Sequence, residues 1–228
     1  MSGAPTRAVT WVIVVAAGSG ARFGGPKQYL ELEGRRVLDR AVDTAARHAA
    51  GVVVVGPPAD VDGDDLREVG PTGPDAPPVV VVAGGESRAA SVRAGLAAVP
   101  DDAAVILVHD GARPLADDAV FERVIDAVLA GADAAVPAVP VVDTIRRVDG
   151  GVVDRSSLVA VQTPQGFAAA ALRAAHAVGG DATDDATLVE SDGGTVVLVD
   201  GDTRNLKITT PLDLIVAAAM LSAGSWDS

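Results

Sequence analysis

Four glycines lie within eight residues, from Gly18 to Gly25, directly after the apolar run Val9–Val15. Glycine lets a backbone approach a ligand closely and adopt positive φ without a steric penalty. Successive N–H groups in such a loop can converge on phosphate oxygens. Because Arg22 and Lys27 add the positive charge that neutral amides lack, the segment is typical of a polyanion-binding loop.

The spacing of this loop separates it from two commoner phosphate-binding patterns. Lys27 is followed by Gln28, which excludes the P-loop, and Phe23 occupies the third glycine position of the dinucleotide pattern. The order Gly-x-Gly-x-Arg-x-Gly-x-Pro-Lys-Gln resembles the signature loop of sugar-phosphate nucleotidyltransferases. Its Pro-Lys-Gln-Tyr ending is most similar to the cytidylyltransferases that make 4-diphosphocytidyl-2-C-methylerythritol.

A second group of chemically capable residues is His109-Asp110-Gly111-Ala112-Arg113-Pro114, after the apolar run Val105–Val108. A carboxylate at the end of a strand that faces phosphates is a natural Mg²⁺ ligand, although a lone Asp in this place is more often a turn or helix cap. The Asp-x-x-Arg-Pro context resembles the same family, and this resemblance assigns Asp110 to the metal. We expect His109 to be structural, and we expect no convergent partner for His48 or His176.

The segment from Gly84 to Ser91 is a second glycine turn that leads into a helix. Ser87 alone would be read as an N-cap. The family resemblance implies that this turn recognises cytosine, whose exocyclic amino group donates where uracil accepts. The resemblance therefore implies the following CTP-binding residues: Ala16, Ala17, Gly18, Ser19, Gly20, Gly85, Glu86, Ser91 and Asp110.

Later motifs extend the resemblance from about Trp11 to Met220. A polar segment at about 141–156 reads as a β-hairpin around an Asp-Gly-Gly turn, and it is either a solvent-exposed hairpin or an arm that packs on a second subunit. The family implies that the acceptor phosphate is held by Arg113, Thr144, Arg155, Thr163 and Lys207. Taken one at a time, these residues could equally be a strand Thr, solvated cations and a turn Thr before Pro164.

Valine-rich runs alternate with Ala-rich amphipathic segments along the chain. Runs that are apolar on both faces indicate parallel strands covered by helices, so the pattern predicts an α/β fold with a doubly wound, mostly parallel, Rossmann-like sheet. The predicted strands are Val9–Val15, Gly51–Val55, Val79–Val82, Val105–Val108, Ala134–Val139 and Thr195–Val199. The predicted helices are Val37–Ala49, Asp64–Val69, Ser87–Val99, Asp117–Leu129, Ala168–Ala177, Asp184–Ser191 and Pro211–Leu221. Ligands of such sheets bind beyond the carboxyl ends of the strands, where both glycine turns and Asp110 fall.

Composition narrows the class of protein further. The 228 residues are 49% hydrophobic and fit one domain, 1–228, with no apolar run near the ~20 residues that a membrane span needs. The net charge of −13 argues against nucleic acid as a partner, and the absence of cysteine favours the cytoplasm. We expect no signal peptide, because cleavage would destroy the first glycine loop.

The resemblance implies CMP transfer from CTP to 2-C-methyl-D-erythritol 4-phosphate with release of pyrophosphate. It implies Mg²⁺ as cofactor, a homodimer, and Arg22, Lys27 and Lys207 as catalytic cations, with Arg88 and Arg113 adding positive field. Two alternatives remain at this point. One is a ribitol-5-phosphate cytidylyltransferase, which shares the nucleotide half, and the other is a non-catalytic nucleotide-binding protein of the same fold.

Overall fold

The computed structural model describes residues 10–18, 20, 23–63, 66, 68–71, 74–179 and 184–223. Most strands of the central sheet coincide with the valine-rich runs, because β-branched side chains suit a buried pleated surface. The strands of the described residues are β1 Thr10–Val15, β2 Glu31–Leu32, β3 Arg35–Arg36, β4 Gly51–Gly56, β5 Val79–Ala83, β6 Val105–Asp110, β7 Ala134–Pro140, β8 Ile145–Arg146, β9 Val152–Val153, β10 Val159–Val161, β11 Gln165–Ala168 and β12 Val196–Asp200. Four of them, β2, β3, β8 and β11, lack such a run.

The helices alternate with these strands, and side-chain caps start most of them. Ser87, Asp117 and Asp184 each accept hydrogen bonds from backbone N–H groups of the first turn, and Thr210 forms a capping box with Asp213. The helices of the described residues are α1 Val37–Arg47, α2 Arg88–Ala98, α3 Asp118–Leu129, α4 Ala169–Ala177, α5 Asp185–Ser191 and α6 Pro211–Ser222.

One sheet carries the functional region. Its order is β10-β7-β11-β6-β1-β4-β5, and β12 pairs with β7. The neighbours β6, β1, β4 and β5 are parallel, and the register sets Val15 beside Asp110. The first glycine loop and Asp110 therefore leave the sheet side by side at its carboxyl edge.

Both faces of the sheet are covered, and strand residues alternate between the two sides. Val12 and Val14 belong to a core with α1 and α3, whereas Ile13 belongs to the opposite core with α2, α4 and α5. The predicted doubly wound α/β class is confirmed by this arrangement. Among the helices within the described ranges, none combines the length and apolar character that crossing a lipid bilayer requires.

The structure departs from the predicted elements around the acceptor motifs. Gln165–Ala168 forms β11, a buried strand antiparallel to both β6 and β7, where no strand was predicted and Ala168 was assigned to the following helix. Gly166 interrupts the β-branched pattern by which the other strands were predicted. Glycine is required there, because a Cβ would lie 2.4 Å from Val124 Cγ1 of α3. The predicted helix Asp64–Val69 lies partly outside the described residues.

Strands β8 and β9 pair with each other antiparallel, separately from the main sheet. They form the hairpin expected at about 141–156, and its residues are mostly exposed. We call the segment 141–156 the arm.

Candidate active site

A cleft of about 570 Å³ lies at the carboxyl edge of the sheet. It receives side chains and backbone from both glycine turns, from the end of β6 and from the segment before α6. Ten of the residues singled out in the sequence line it: Ala16, Ala17, Gly18, Gly20, Lys27, Gly85, Glu86, Ser91, Asp110 and Lys207. The chain thus brings residues that are about 190 positions apart in sequence, Ala16 and Lys207, to one opening.

The first glycine loop folds back on itself before it reaches Lys27. The N–H of Phe23 donates to the Gly20 carbonyl at 2.8 Å, and the N–H of Lys27 donates to the Gly25 carbonyl at 2.8 Å. Gly20 has φ +65°, and a Cβ there would lie 1.8 Å from the Gly25 oxygen, so glycine is required. Gln28 is buried and donates from Nε2 to the Ala16 carbonyl at 3.1 Å, which ties the end of the loop to its beginning.

The second glycine turn packs directly against the first loop. A Cβ on Gly84 would lie 2.4 Å from the Ala17 Cβ and 2.9 Å from Ser91 Oγ. Ser91 Oγ accepts from the Gly85 N–H at 3.2 Å and donates to the Ser87 carbonyl at 3.0 Å. The Ser91 hydroxyl therefore braces the turn, and its contact with a base stays a prediction.

Asp110 and Lys207 form an ion pair across the cleft. Lys207 Nζ lies 2.7 Å from Asp110 Oδ2, and Arg113 Nε lies 3.6 Å from the same oxygen. Burial opposes ionisation of Asp110, but Lys207, followed by Arg88 and Arg113, holds the pKa of this carboxyl below its ordinary value. Arg113 is itself mostly buried and donates to the Asn205 carbonyl at 2.7 Å, which ties the Lys207 segment to the end of β6.

His109 supports this corner from inside the fold. The N–H of Asp110 donates to Thr163 Oγ1 at 3.0 Å, and Thr163 Oγ1 lies 3.1 Å from His109 Nδ1. If the hydroxyl donates to Nδ1, the ring proton is on Nε2, which lies 3.3 Å from the Arg113 carbonyl. Burial lowers the pKa of His109 to about 4, so the neutral ring that this chain of hydrogen bonds requires is favoured. The structural role expected for His109 agrees with this geometry.

The chain matches the model of the 2-C-methyl-D-erythritol 4-phosphate cytidylyltransferase family over residues 10–223. The chain belongs to this family. A 2-C-methyl-D-erythritol 4-phosphate cytidylyltransferase of Rhodococcus jostii is 45% identical over 223 residues, which are 93% of this chain and 95% of the relative. The enzyme class is therefore that of a nucleotidyltransferase.

Solved structures of the same family share the fold. The crystal structure of 4-diphosphocytidyl-2C-methyl-D-erythritol synthase from Anaerococcus prevotii has a TM-score of 0.79 and 30% identity, and the match covers 94% of this chain and 99% of that one. The 2-C-methyl-D-erythritol 4-phosphate cytidylyltransferase of Thermus thermophilus has a TM-score of 0.75 and 38% identity, with 93% and 98% covered. The family resemblance that the motifs indicated is confirmed by both kinds of match.

Several predicted site residues lie away from the cleft lining. Thr144 and Arg155, which are both described, lie exposed on the arm, where Arg155 Nη1 donates to the Val142 carbonyl. Thr163 and Arg113 lie behind Asp110, buried or largely buried. Arg22 and Ser19 lie outside the described residues, so their predicted roles are not placed.

Six further residues line the cleft for which the sequence indicated no specific binding or catalytic role: Val15, Phe23, Gln28, Ser87, Arg88 and Ala112. Most of them adjoin a predicted motif, and that adjacency was the available signal.

The expectation for His48 and His176 was wrong, because both contact carboxylates. His48 Nε2 lies 2.7 Å from Asp118 Oδ1, and His176 Nε2 lies 3.1 Å from Asp185 Oδ1. Each carboxylate belongs to another helix, so the spacing along the chain gave no indication of it.

Proposed function

We propose that the protein transfers CMP from CTP to 2-C-methyl-D-erythritol 4-phosphate, giving 4-diphosphocytidyl-2-C-methyl-D-erythritol and pyrophosphate. The observation that carries this proposal is the meeting of Lys27, Asp110 and Lys207 with both glycine turns in one cleft, in a chain that belongs to the family of that enzyme. A ribitol phosphate acceptor and a non-catalytic nucleotide-binding role find no comparable support.

In this reaction an oxygen of the acceptor phosphate attacks the α-phosphorus of CTP. A new P–O bond forms as the bond from the α-phosphorus to the bridging oxygen breaks, and pyrophosphate leaves. The acceptor needs no general base, because the second pKa of a phosphate monoester is about 6 and its nucleophilic form dominates at neutral pH. The protein must instead hold two anions together, so positioning and charge neutralisation supply most of the rate.

The cations of the cleft are suited to that task. Lys27 follows the first glycine loop and would neutralise charge on the transferred phosphoryl group and the departing pyrophosphate. Lys207, beside Asp110, would orient the acceptor phosphate once a ligand competes for its ammonium. Arg22 is assigned to the nucleotide phosphates with Lys27 on the strength of the family motif. Thr144, Arg155 and Thr163 are assigned to the acceptor phosphate on the same ground.

The cleft fits a magnesium site in which one carboxylate and the bound nucleotide share the ion. Within the described ranges no group of three or more His, Asp or Glu side chains could hold a metal ion by itself. Mg²⁺ commonly takes one or two carboxylates and completes its shell with phosphate oxygens and water. Asp110, assisted by the nucleotide, would hold the ion, which when bound supplies charge neutralisation to the triphosphate.

The arm supports a homodimer as the functional form. Within the described part of the chain, its two short strands pair only with each other, and Val142, Val148 and Val152 are exposed on it. A two-stranded hairpin is marginal alone, so we propose that it packs on a second copy and brings Thr144 and Arg155 to the partner's cleft. We also propose a cytoplasmic location, because the sequence has no cysteine to oxidise.

The direct test is pyrophosphate release from CTP and Mg²⁺, with methylerythritol phosphate and ribitol phosphate offered in parallel reactions. We expect release that depends on methylerythritol phosphate and little or none with ribitol phosphate. Preference for ribitol phosphate would replace the proposed acceptor. Tight CTP binding without release in either reaction would show a binding protein.

Asp110→Asn tests the metal assignment. We expect the variant to lose most of its activity and to need a much higher Mg²⁺ concentration, because a neutral amide is a poor ligand for a hard cation. The measurement is initial rate against Mg²⁺ concentration, with Asp39→Asn on α1 as the matched control outside the cleft. An unchanged Mg²⁺ dependence, or full wild-type activity in excess chelator, would refute the role.

A further inference from the structure

Asp185, the first residue of α5, is a buried carboxylate that the reaction as described above does not use. It is 1% exposed. Its Oδ2 lies 2.5 Å from Arg88 Nη1, and its Oδ1 lies 3.1 Å from His176 Nε2. Three helices, α2, α4 and α5, therefore meet at this one carboxylate.

A buried carboxylate needs both a charge partner and hydrogen-bond donors, because desolvation of an unpaired charge is costly. An ionised carboxylate only accepts hydrogen bonds, so the His176 ring donates to Asp185 from Nε2. His176 thus supplies a hydrogen bond, and Arg88 supplies the positive charge.

The position of Asp185 is fixed from a second side. Its neighbour Asp184 caps α5 by accepting from the N–H groups of Ala186 and Thr187. Gln165 Nε2, on β11, donates to Asp184 Oδ2 at 3.0 Å. The start of α5 is thereby attached to the central sheet, next to the strand that bears Asp110.

The other end of this network opens into the cleft. Arg88 lines the cleft beside Glu86 and Ser87, and its side chain is 25% exposed. Burial opposes its charged form, but the carboxylates of Asp185 and Asp110 raise the pKa of Arg88 above its ordinary value. The guanidinium is thus a permanent charge, held from behind by Asp185 and facing a cleft whose ligand carries several negative charges.

We propose that Asp185 is a positioning residue that holds the Arg88 guanidinium in the nucleotide cleft, with His176 anchoring the carboxylate, and that Arg88 binds the anionic part of CTP. This inference rests on the proposed function, because it takes CTP as the ligand of the cleft. It gives a functional role to Asp185 and His176, neither of which is among the described residues that line the cleft.

The test is a double-mutant cycle on CTP affinity, measured by calorimetry with Mg²⁺ and without an acceptor. We expect Arg88→Gln and Asp185→Asn each to raise the Kd for CTP about tenfold or more, the scale of one charged hydrogen bond. The double variant should bind CTP no more weakly than Arg88→Gln alone, because Asp185 acts through Arg88. Additive losses, or an unchanged Kd in Asp185→Asn, would overturn the proposal.

Asp39→Asn is the matched control, because it also removes the charge of a carboxylate that is paired with an arginine. Asp39 Oδ2 lies 2.7 Å from Arg36 Nε. Neither residue is among the described residues that line the cleft. It should leave the Kd unchanged. If Asp185→Asn does not fold, His176 gives a second test. His176→Ala should weaken CTP binding, and His176→Gln, which restores an N–H donor near Nε2, should recover it. Equal affinities for the two His176 variants would overturn the anchoring role.

Turnover of the wild type separates this inference from the proposed function. If the wild type binds CTP but releases no pyrophosphate with methylerythritol phosphate, the proposed reaction is wrong, and the double-mutant cycle on CTP affinity still tests the role of Asp185. If turnover is normal but the losses of CTP affinity are additive, only the positioning role is wrong.

Discussion

Lys27 and Lys207 are the two lysines among the 18 basic residues of the chain. Both line the cleft. A lysine ammonium is a compact charge on a flexible stem, whereas arginine presents a planar fork. In the proposed reaction the phosphoryl oxygens move during transfer, and a compact charge on a flexible stem can follow them. Lysine therefore suits these two positions better than arginine.

Lys27→Ala should lower kcat far more than it weakens CTP binding. Charge on the phosphoryl group and on pyrophosphate grows in the transition state, so loss of the ammonium should cost on the order of 3 kcal/mol, as for loss of one oxyanion donor. The measurement is kcat and KM for CTP in a variant whose circular dichroism matches the wild type. A folded variant with near-normal kcat would remove Lys27 from the catalytic machinery.

His109 predicts a pH dependence of stability. Its pKa is lowered to about 4 in the folded protein, from an ordinary value of 6.5. Below pH 6.5 the unfolded chain therefore binds a proton that the folded protein does not, so stability falls as the pH decreases towards 4. From pH 7 to pH 5 the free energy of unfolding should fall by about 2 kcal/mol from this residue.

Urea denaturation in metal-free buffer measures this change, and His109→Asn is the comparison. Over this pH interval Asp110, whose pKa is held low, stays ionised in the folded protein and contributes little. The variant should be less stable at pH 7 but should show a smaller loss towards pH 5. Parallel curves for the two proteins would show that His109 does not titrate as described.

At the residue scale, local motifs revealed the cations and the carboxylate of the cleft but not the groups behind them. Lys27, Asp110 and Lys207 each lie within a recognisable short pattern. Arg88 and Asp185 are 97 positions apart. A pair of this kind is created by the packing of helices on one face of the sheet, and single-sequence patterns carry no record of it.

At the scale of elements, prediction followed hydrophobic pattern. The valine-rich strands and the capped helices lie close to their predicted bounds, because burial on both faces leaves continuous apolar runs. Strand β10 was missed, since its residues are exposed, and β11 was missed because glycine replaces a β-branched residue at its contact with α3. Tertiary packing decided both strands.

The arm predicts complementation between inactive chains. Lys27→Ala and Arg155→Ala should each be inactive, and mixing them with subunit exchange should restore some activity. In a heterodimer with composite sites, one site carries both defects and the other carries neither. Heterodimers confirmed by native mass spectrometry that stay inactive, with both parents folded, would show that Arg155 serves its own chain.

At the scale of the whole molecule, the net charge of −13 opposes the binding of a polyanion and also opposes compactness. We expect the urea midpoint to rise when NaCl is raised from about 10 to about 150 mM, because the Debye length falls from about 30 to about 8 Å and the repulsion is screened. Choline chloride should act alike, since the effect does not depend on a bound cation. A lower midpoint in both salts would show that attractive pairs dominate the surface.

The contact between the two glycine turns has a consequence for enzyme engineering. Gly84 packs against Ala17 with room for no added carbon, and Ser91 closes the same contact. A larger residue at position 84 will press on Ala17 of the first glycine loop. If the two turns bind the base and the phosphates as proposed, altered nucleotide preference and lost turnover will then arise together. Altering which nucleotide this scaffold accepts therefore calls for paired changes across both turns, selected for rate as well as for preference.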